Sequence, residues 1–93
     1  MLAPLSAEEL SKRLVALSGW ELKGNTIEKK FRFGDFKEAM AFVNRAADLA
    51  ELEDHHPDIF IHYREVTLTL WTHVAGGVTE RDLKLAADID RFD

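Results

Sequence analysis

EDHHPDIFIHYREVTLTLWTH, residues Glu53 to His73, changes character partway along. Its first residues are charged, with two adjacent histidines halted by Pro57. From Ile59 the apolar residues recur with a period of two. Ile59, Ile61 and Tyr63 alternate with Phe60 and His62, then Val66, Leu68 and Leu70 alternate with Thr67, Thr69 and Trp71. A period of two is the spacing at which a strand returns to the same face. The two runs, joined near Tyr63-Arg-Glu-Val66, predict an antiparallel hairpin.

A second hairpin lies upstream. Trp20-Glu-Leu-Lys and Thr26-Ile-Glu-Lys-Lys-Phe-Arg-Phe flank Gly24-Asn25, a glycine-containing turn. Three helix starts share one idiom: Ser6-Ala-Glu-Glu9, Asp35-Phe-Lys-Glu38 and Thr79-Glu-Arg-Asp82. Each offers a short oxygen at the N-cap and a carboxylate three residues on, the pattern of a capping box. Helices are expected at about Ala7–Leu17, Phe36–Leu52 and Glu80–Phe92. The second carries two neighbouring stripes: Phe36, Met40, Val43, Ala47 and Ala50 beside Ala39, Phe42, Ala46 and Leu49. An apolar face that wide predicts burial against a sheet and also against another helix or subunit. The order α-β-β-α-β-β-α favours an α+β two-layer sandwich, a four-stranded antiparallel sheet with three helices on one face. The other face is left to solvent, a ligand or another subunit.

A chain of 93 residues with 46% apolar and 31% charged residues is read as one domain, 1–93, with a modest core. It has no cysteine, so disulfides, thiolate metal sites and cysteine nucleophiles are excluded. No apolar run approaches the ~18 residues of a membrane span. The opening Met1-Leu-Ala-Pro-Leu is short and uncharged for a signal peptide. A soluble, cytoplasmic protein is expected. The net charge of −5 argues against direct nucleic-acid binding, because phosphate neutralisation needs a basic excess.

The four histidines, His55, His56, His62 and His73, all fall in the opening stretch. Three readings compete for them. Metal ligation lacks a familiar spacing, since there is no His-Glu-x-x-His and no second clustered pair. Ordinary packing would leave them as polar residues at a helix–strand junction, with His62 on the solvent side of its strand. Acid–base chemistry needs groups that exchange protons near neutrality, and imidazole does so without a large shift. Pro57 keeps His56 out of helical geometry, and a bend there could turn both rings toward the end of the sheet. His73, at the end of the return strand, shares the less apolar face with Thr67, Thr69 and Trp71.

Among the carboxylates, Asp82 reads first as the capping partner of Thr79. Glu51, Glu53 and Asp54 crowd a helix C-terminus, where negative charge is unfavourable. That implies a nearby cation or solvent exposure, and exposure is expected for Glu53. Trp20, Phe60 and Trp71 read as packing or interface residues, and Gly76-Gly77 as a flexible turn.

Taken together, Glu51-x3-His55-His56-Pro57, Tyr63, His73 and Asp82 resemble the signature of the pterin-4a-carbinolamine dehydratases. The resemblance includes Gly19-Trp20, Phe31-x-Phe33, Asp35-Phe36 and Gly77-x-Thr79-Glu80-Arg81-Asp82, and covers roughly Leu14 to Phe92. It implies the same sandwich, assembled as a homodimer or homotetramer, with dimers joining their sheets edge to edge. It implies a hydro-lyase, 4a-hydroxytetrahydrobiopterin dehydratase, acting in tetrahydrobiopterin recycling on a small-molecule pterin, with no cofactor and no metal. Carried over by position, His55, His56 and His73 become the catalytic residues. Glu51, Pro57 and Asp82 become substrate-binding residues. Animal members of the family also serve as dimerisation cofactors for a transcription factor, so an oligomeric interaction module without essential catalysis is the alternative.

Overall fold

The computed structural model describes residues 3–92. Its elements are α1 (Ala7–Leu14), β1 (Glu21–Lys23), β2 (Thr26–Arg32), α2 (Phe36–Glu53), β3 (Asp58–His62), β4 (Glu65–Leu70) and α3 (Glu80–Asp90). A short 3-10 turn, His73–Ala75, separates β4 from α3. This is the α-β-β-α-β-β-α order read from the sequence. The strands form one antiparallel sheet in the order β1-β2-β4-β3.

Register fixes which residues face the helices. Ile27 pairs with Leu70 and Phe31 with Val66, while Ile59 pairs with Leu68 and Ile61 with Val66. Directly paired residues share a face, so these seven side chains point the same way. Val66, Leu68 and Leu70 are fully buried. They meet Leu10 of α1, Ala39, Phe42, Val43 and Ala46 of α2, and Leu83, Leu85, Ala86 and Ile89 of α3 in one core. Burial of each large aliphatic side chain contributes about 1.5–3 kcal/mol. Lys29 also falls on this face. Its ammonium stands 5.0 Å over the Phe31 ring and reaches Asp90 at 3.0 Å and the Ser18 carbonyl at 2.8 Å. Trp20 joins the same corner, its indole N–H donating to the other oxygen of Asp90 at 3.1 Å.

The helices stop short of one edge. On β3, Ile59 and Ile61 are each 37% exposed on the helix side, and Phe60 is 65% exposed on the other. Part of the wide face of α2 is also uncovered, with Phe36 half exposed. Among the described residues, no helix is long and apolar enough to cross a membrane.

The three starts are capped as their sequences suggested, but in two ways. Ser6 accepts from the Glu9 amide and Asp35 from the Glu38 amide, while Glu38 turns to the Gly34 amide. The full reciprocal box forms at Thr79 and Asp82. Two helices end earlier than their periodicity suggested. After Leu14 the bonds span three residues instead of four (Ala16 to Arg13, Leu17 to Leu14), and after Asp90 Arg91 and Phe92 do the same. The tighter turns still deliver Leu17 and Phe92 to the core. Exposure of Glu53 is corrected: its side chain is 13% exposed, because Lys84 from α3 lies over it at 3.3 Å.

Candidate functional site

The site is built where three chain segments meet at one end of the sheet. The first is the end of α2. Asp54 adopts the left-handed conformation (φ 52°), and its amide satisfies the last carbonyls of the helix. Aspartate tolerates this geometry better than most residues, because its short polar side chain can bond locally. The reversal drops His55 inward, 8% exposed, and His56 outward. Pro57 then commits the chain to β3.

The second segment follows β4. Thr72, in phase with Leu70, is 2% exposed, while Trp71 and His73 fall on the opposite side. The Thr72 amide donates to the Gly77 carbonyl at 2.9 Å, closing a loop that carries His73 on its 3-10 turn. Gly76 completes the turn with φ 74°, where glycine adds no steric cost. The Trp71 and His73 rings lie 4.1 Å apart, tilted by 39°.

The third segment is the first turn of α3. Asp82 has no exposed surface. One of its oxygens lies 2.5 Å from His55 Nε2. The other accepts from the Thr72 hydroxyl and from the Thr79 amide, each at 2.8 Å. Thr72 and Thr79 hydroxyls are themselves 2.8 Å apart, and Thr79 Oγ1 accepts from the Arg81 amide at 3.2 Å. The Arg81 guanidinium donates to the Asp54 carbonyl at 2.5 Å. Neighbouring residues of α3 therefore hold both the ring of His55 and the backbone just before it.

These segments enclose a cleft of about 340 Å³ lined by Asp54, His55, His56, Trp71, Thr72, His73, Val74 and Arg81. Its size suits a small planar ligand. All three histidines of the acid–base reading face this one cleft. Glu51 approaches from outside, with its carboxylate 2.6 Å from His56 Nε2. Glu51 is itself largely exposed, so solvent relieves the crowding of carboxylates at this helix terminus. Pro57 does not line the cleft. His62 lies apart, exposed and 3.8 Å from Glu65. Asp82 caps α3, as its spacing from Thr79 suggested, and it also holds the His55 ring, a second task that the sequence did not assign to it.

A second cleft of about 220 Å³ also touches His55, between Glu53, Arg81 and Lys84. Here burial, and then a hydrogen bond with Asp88, push the Glu53 carboxyl above its ordinary range. Asp88 is held low by the hydrogen bond with Glu53 and by Lys84. Of the pair, Glu53 keeps the proton to higher pH. Among the described residues, no cluster of three or more His, Asp or Glu side chains is arranged as a metal ligand set.

Sequence reasoning left three cleft residues unassigned. Trp71 read as a packing or interface residue, Arg81 as part of the resemblance without a role, and Thr72 was given no reading. For Thr72 the available signal was parity: it falls on the core face beside Leu70, where a hydroxyl needs a partner.

Comparison with known proteins gives a consistent result. The family model described as pterin 4 alpha carbinolamine dehydratase matches residues 3–92. A protein of Acidobacterium capsulatum is 51% identical over 96% of this chain and 97% of its own. One of Sulfurisphaera tokodaii is 48% identical over 95% of each. Both carry provisional names as pterin-4-alpha-carbinolamine dehydratases. Among solved structures, a transcriptional coactivator/pterin dehydratase from Brucella melitensis superposes with a TM-score of 0.89 at 42% identity, covering 94% of this chain and 95% of that one. A pterin dehydratase-like protein identified as a RuBisCO assembly factor in the alpha-carboxysome superposes with a TM-score of 0.63 at 29% identity, covering 76% and 82%.

Proposed function

This chain belongs to the pterin 4 alpha carbinolamine dehydratase family, and from that premise we propose that it is a hydro-lyase removing water from a 4a-hydroxytetrahydropterin. The product is a quinonoid dihydropterin, and the setting is tetrahydrobiopterin recycling. One dehydratase-like domain spans residues 1–93. The observation that carries the reading is the His55 ring, anchored on buried Asp82, in a cleft shared with His56 and His73.

Hydroxide is a poor leaving group, so breaking the C4a–O bond requires a proton from a general acid, and the oxygen leaves as water. The N5–H is lost to a base as the C4a=N5 bond forms. One proton is given and one taken, and no electrons are transferred. His55 and His73 divide these two roles. His56, held by Glu51, orients the pterin, and Pro57 sets the direction of His56. Asp82, which the resemblance made substrate-binding, is fully buried and outside the cleft lining, and its role is taken to be exerted through His55. The test is dehydration of a 4a-hydroxypterin generated in situ. His55→Ala and His73→Ala should each lower kcat by about 10²-fold or more, the usual scale of acid–base catalysis. Unchanged kcat in both would remove the assignment.

A homodimer or homotetramer accompanies this activity. The support is the edge strand β3, with Ile59, Phe60 and Ile61 exposed, and exposed Tyr63 in the turn after it. A second copy pairing along that edge would bury them and complete its backbone hydrogen bonding. The same surface supports the alternative of an interaction module without essential catalysis. An oligomer that survives the triple histidine substitution while dehydration disappears favours the enzyme.

A further inference from the structure

Thr72 carries one hydroxyl hydrogen and has two oxygens within reach. It lies 2.8 Å from Thr79 Oγ1 and 2.8 Å from the inner oxygen of Asp82. The surrounding donors decide where the hydrogen goes. Thr79 Oγ1 already accepts the Arg81 amide hydrogen, so its own hydrogen needs an acceptor. A buried hydroxyl left unpaired is costly. One arrangement satisfies every group: Thr79 donates to Thr72, and Thr72 donates to Asp82. The inner oxygen of Asp82 then receives two hydrogens, from Thr72 and from the Thr79 amide. Two donors occupy this oxygen, and the other is left to meet His55. The outer oxygen faces His55 Nε2 at 2.5 Å, and the hydrogen between them belongs to the ring.

We infer that Thr72 is a positioning residue for the dehydration. By donating its single hydroxyl hydrogen to Asp82, it fixes His55 as the Nε2–H tautomer and leaves Nδ1 as the nitrogen that exchanges protons with the pterin. The inference rests on the dehydratase reading. The backbone of Thr72 has a separate task, since its amide holds Gly77 and the His73 loop. Side-chain substitution therefore separates the hydroxyl from the loop.

The experiment combines ring-nitrogen spectra of ¹⁵N-histidine-labelled protein with steady-state dehydration kinetics. In the native protein the neutral His55 ring is expected to carry its hydrogen on Nε2. Thr72→Val keeps the shape and removes the donor. It should populate the other tautomer and lower kcat by roughly tenfold or more, with KM changed by less than about twofold. Thr72→Ser restores the donor and should return kcat to within about threefold of native. A native His55 hydrogen on Nδ1 overturns the inference, as does a valine variant with native tautomer and kcat. A serine variant as slow as valine also overturns it, because packing of the methyl group would then be the cause. If the valine variant does not fold, the native spectrum and the serine variant decide. A native protein without dehydration activity sinks the dehydratase reading, while the spectra still decide the tautomer.

Discussion

Asp82→Asn changes one atom in the buried network and should invert the polarity of the site. The native carboxylate receives three hydrogens: from Thr72, from the Thr79 amide and from His55 Nε2. An asparagine has one oxygen, and two fixed donors claim it. Its amide nitrogen must then face His55, which can meet it only by accepting at Nε2. The ring hydrogen moves to Nδ1, the nitrogen inferred above to exchange protons with the pterin. In serine proteases a comparable inversion lowers kcat about 10⁴-fold. Here the ring must still exchange a proton but begins in the wrong form, so a fall of about 10²–10⁴-fold is expected. That corresponds to roughly 2.7–5.5 kcal/mol of barrier. Stability falls as well. Charge-assisted bonds of about 1.5–3 kcal/mol become neutral ones of about 0.5–1.5, and three are affected. A net loss of about 3–4.5 kcal/mol is expected, or a Tm lower by roughly 15–23 °C in a domain of this size. The assay is dehydration of 4a-hydroxypterin per folded molecule, well below the variant's Tm, beside a thermal melt. An asparagine variant with kcat within about threefold of native would refute the reasoning, because the tautomer would then be irrelevant to turnover.

Three further outcomes follow from the fold. Gly77→Ala places a Cβ 2.9 Å from Pro4, so the segment before α1 must shift; a loss of about 1–3 kcal/mol is expected by denaturant unfolding. Glu80 is held below the ordinary carboxylate range by Arg13, at 2.6 and 2.8 Å. Its contribution is therefore present above the ordinary value and lost as pH falls through the lowered one, so Glu80→Gln should flatten the acid limb of a Tm–pH curve; an unchanged limb counts against the pair. Ile61→Lys puts a charge on the edge strand β3 and should convert the proposed oligomer to a monomer by size-exclusion chromatography. Native elution would place the interface elsewhere.

Local signals made most of the fold legible. The capping motifs at Ser6, Asp35 and Thr79 mark the helix starts, and the period of two marks both hairpins. Helix ends were less so, because the three-residue bonds after Leu14 and Asp90 depend on Leu17 and Phe92 finding the core. Glu53 was misread because its cover comes from Lys84, 31 positions away on another helix. At the site, the resemblance named the residues now facing or flanking the cleft, but local sequence could not connect them. Thr72 and Asp82 are ten residues apart, and His55 and Asp82 are 27 apart. Only the return of α3 against the end of α2 joins them.

The reciprocal cap of α3 has a dynamic corollary. The Thr79 amide is bonded to the same Asp82 oxygen that Thr72 reaches, so that amide exchanges with solvent only when the first turn of α3 opens. Opening releases Asp82 from His55 in the same event. The protection factor of one backbone amide thus measures the fraction of molecules whose histidine is aligned. On the proposed mechanism, fraying of this helix end and loss of turnover are one equilibrium observed by two methods.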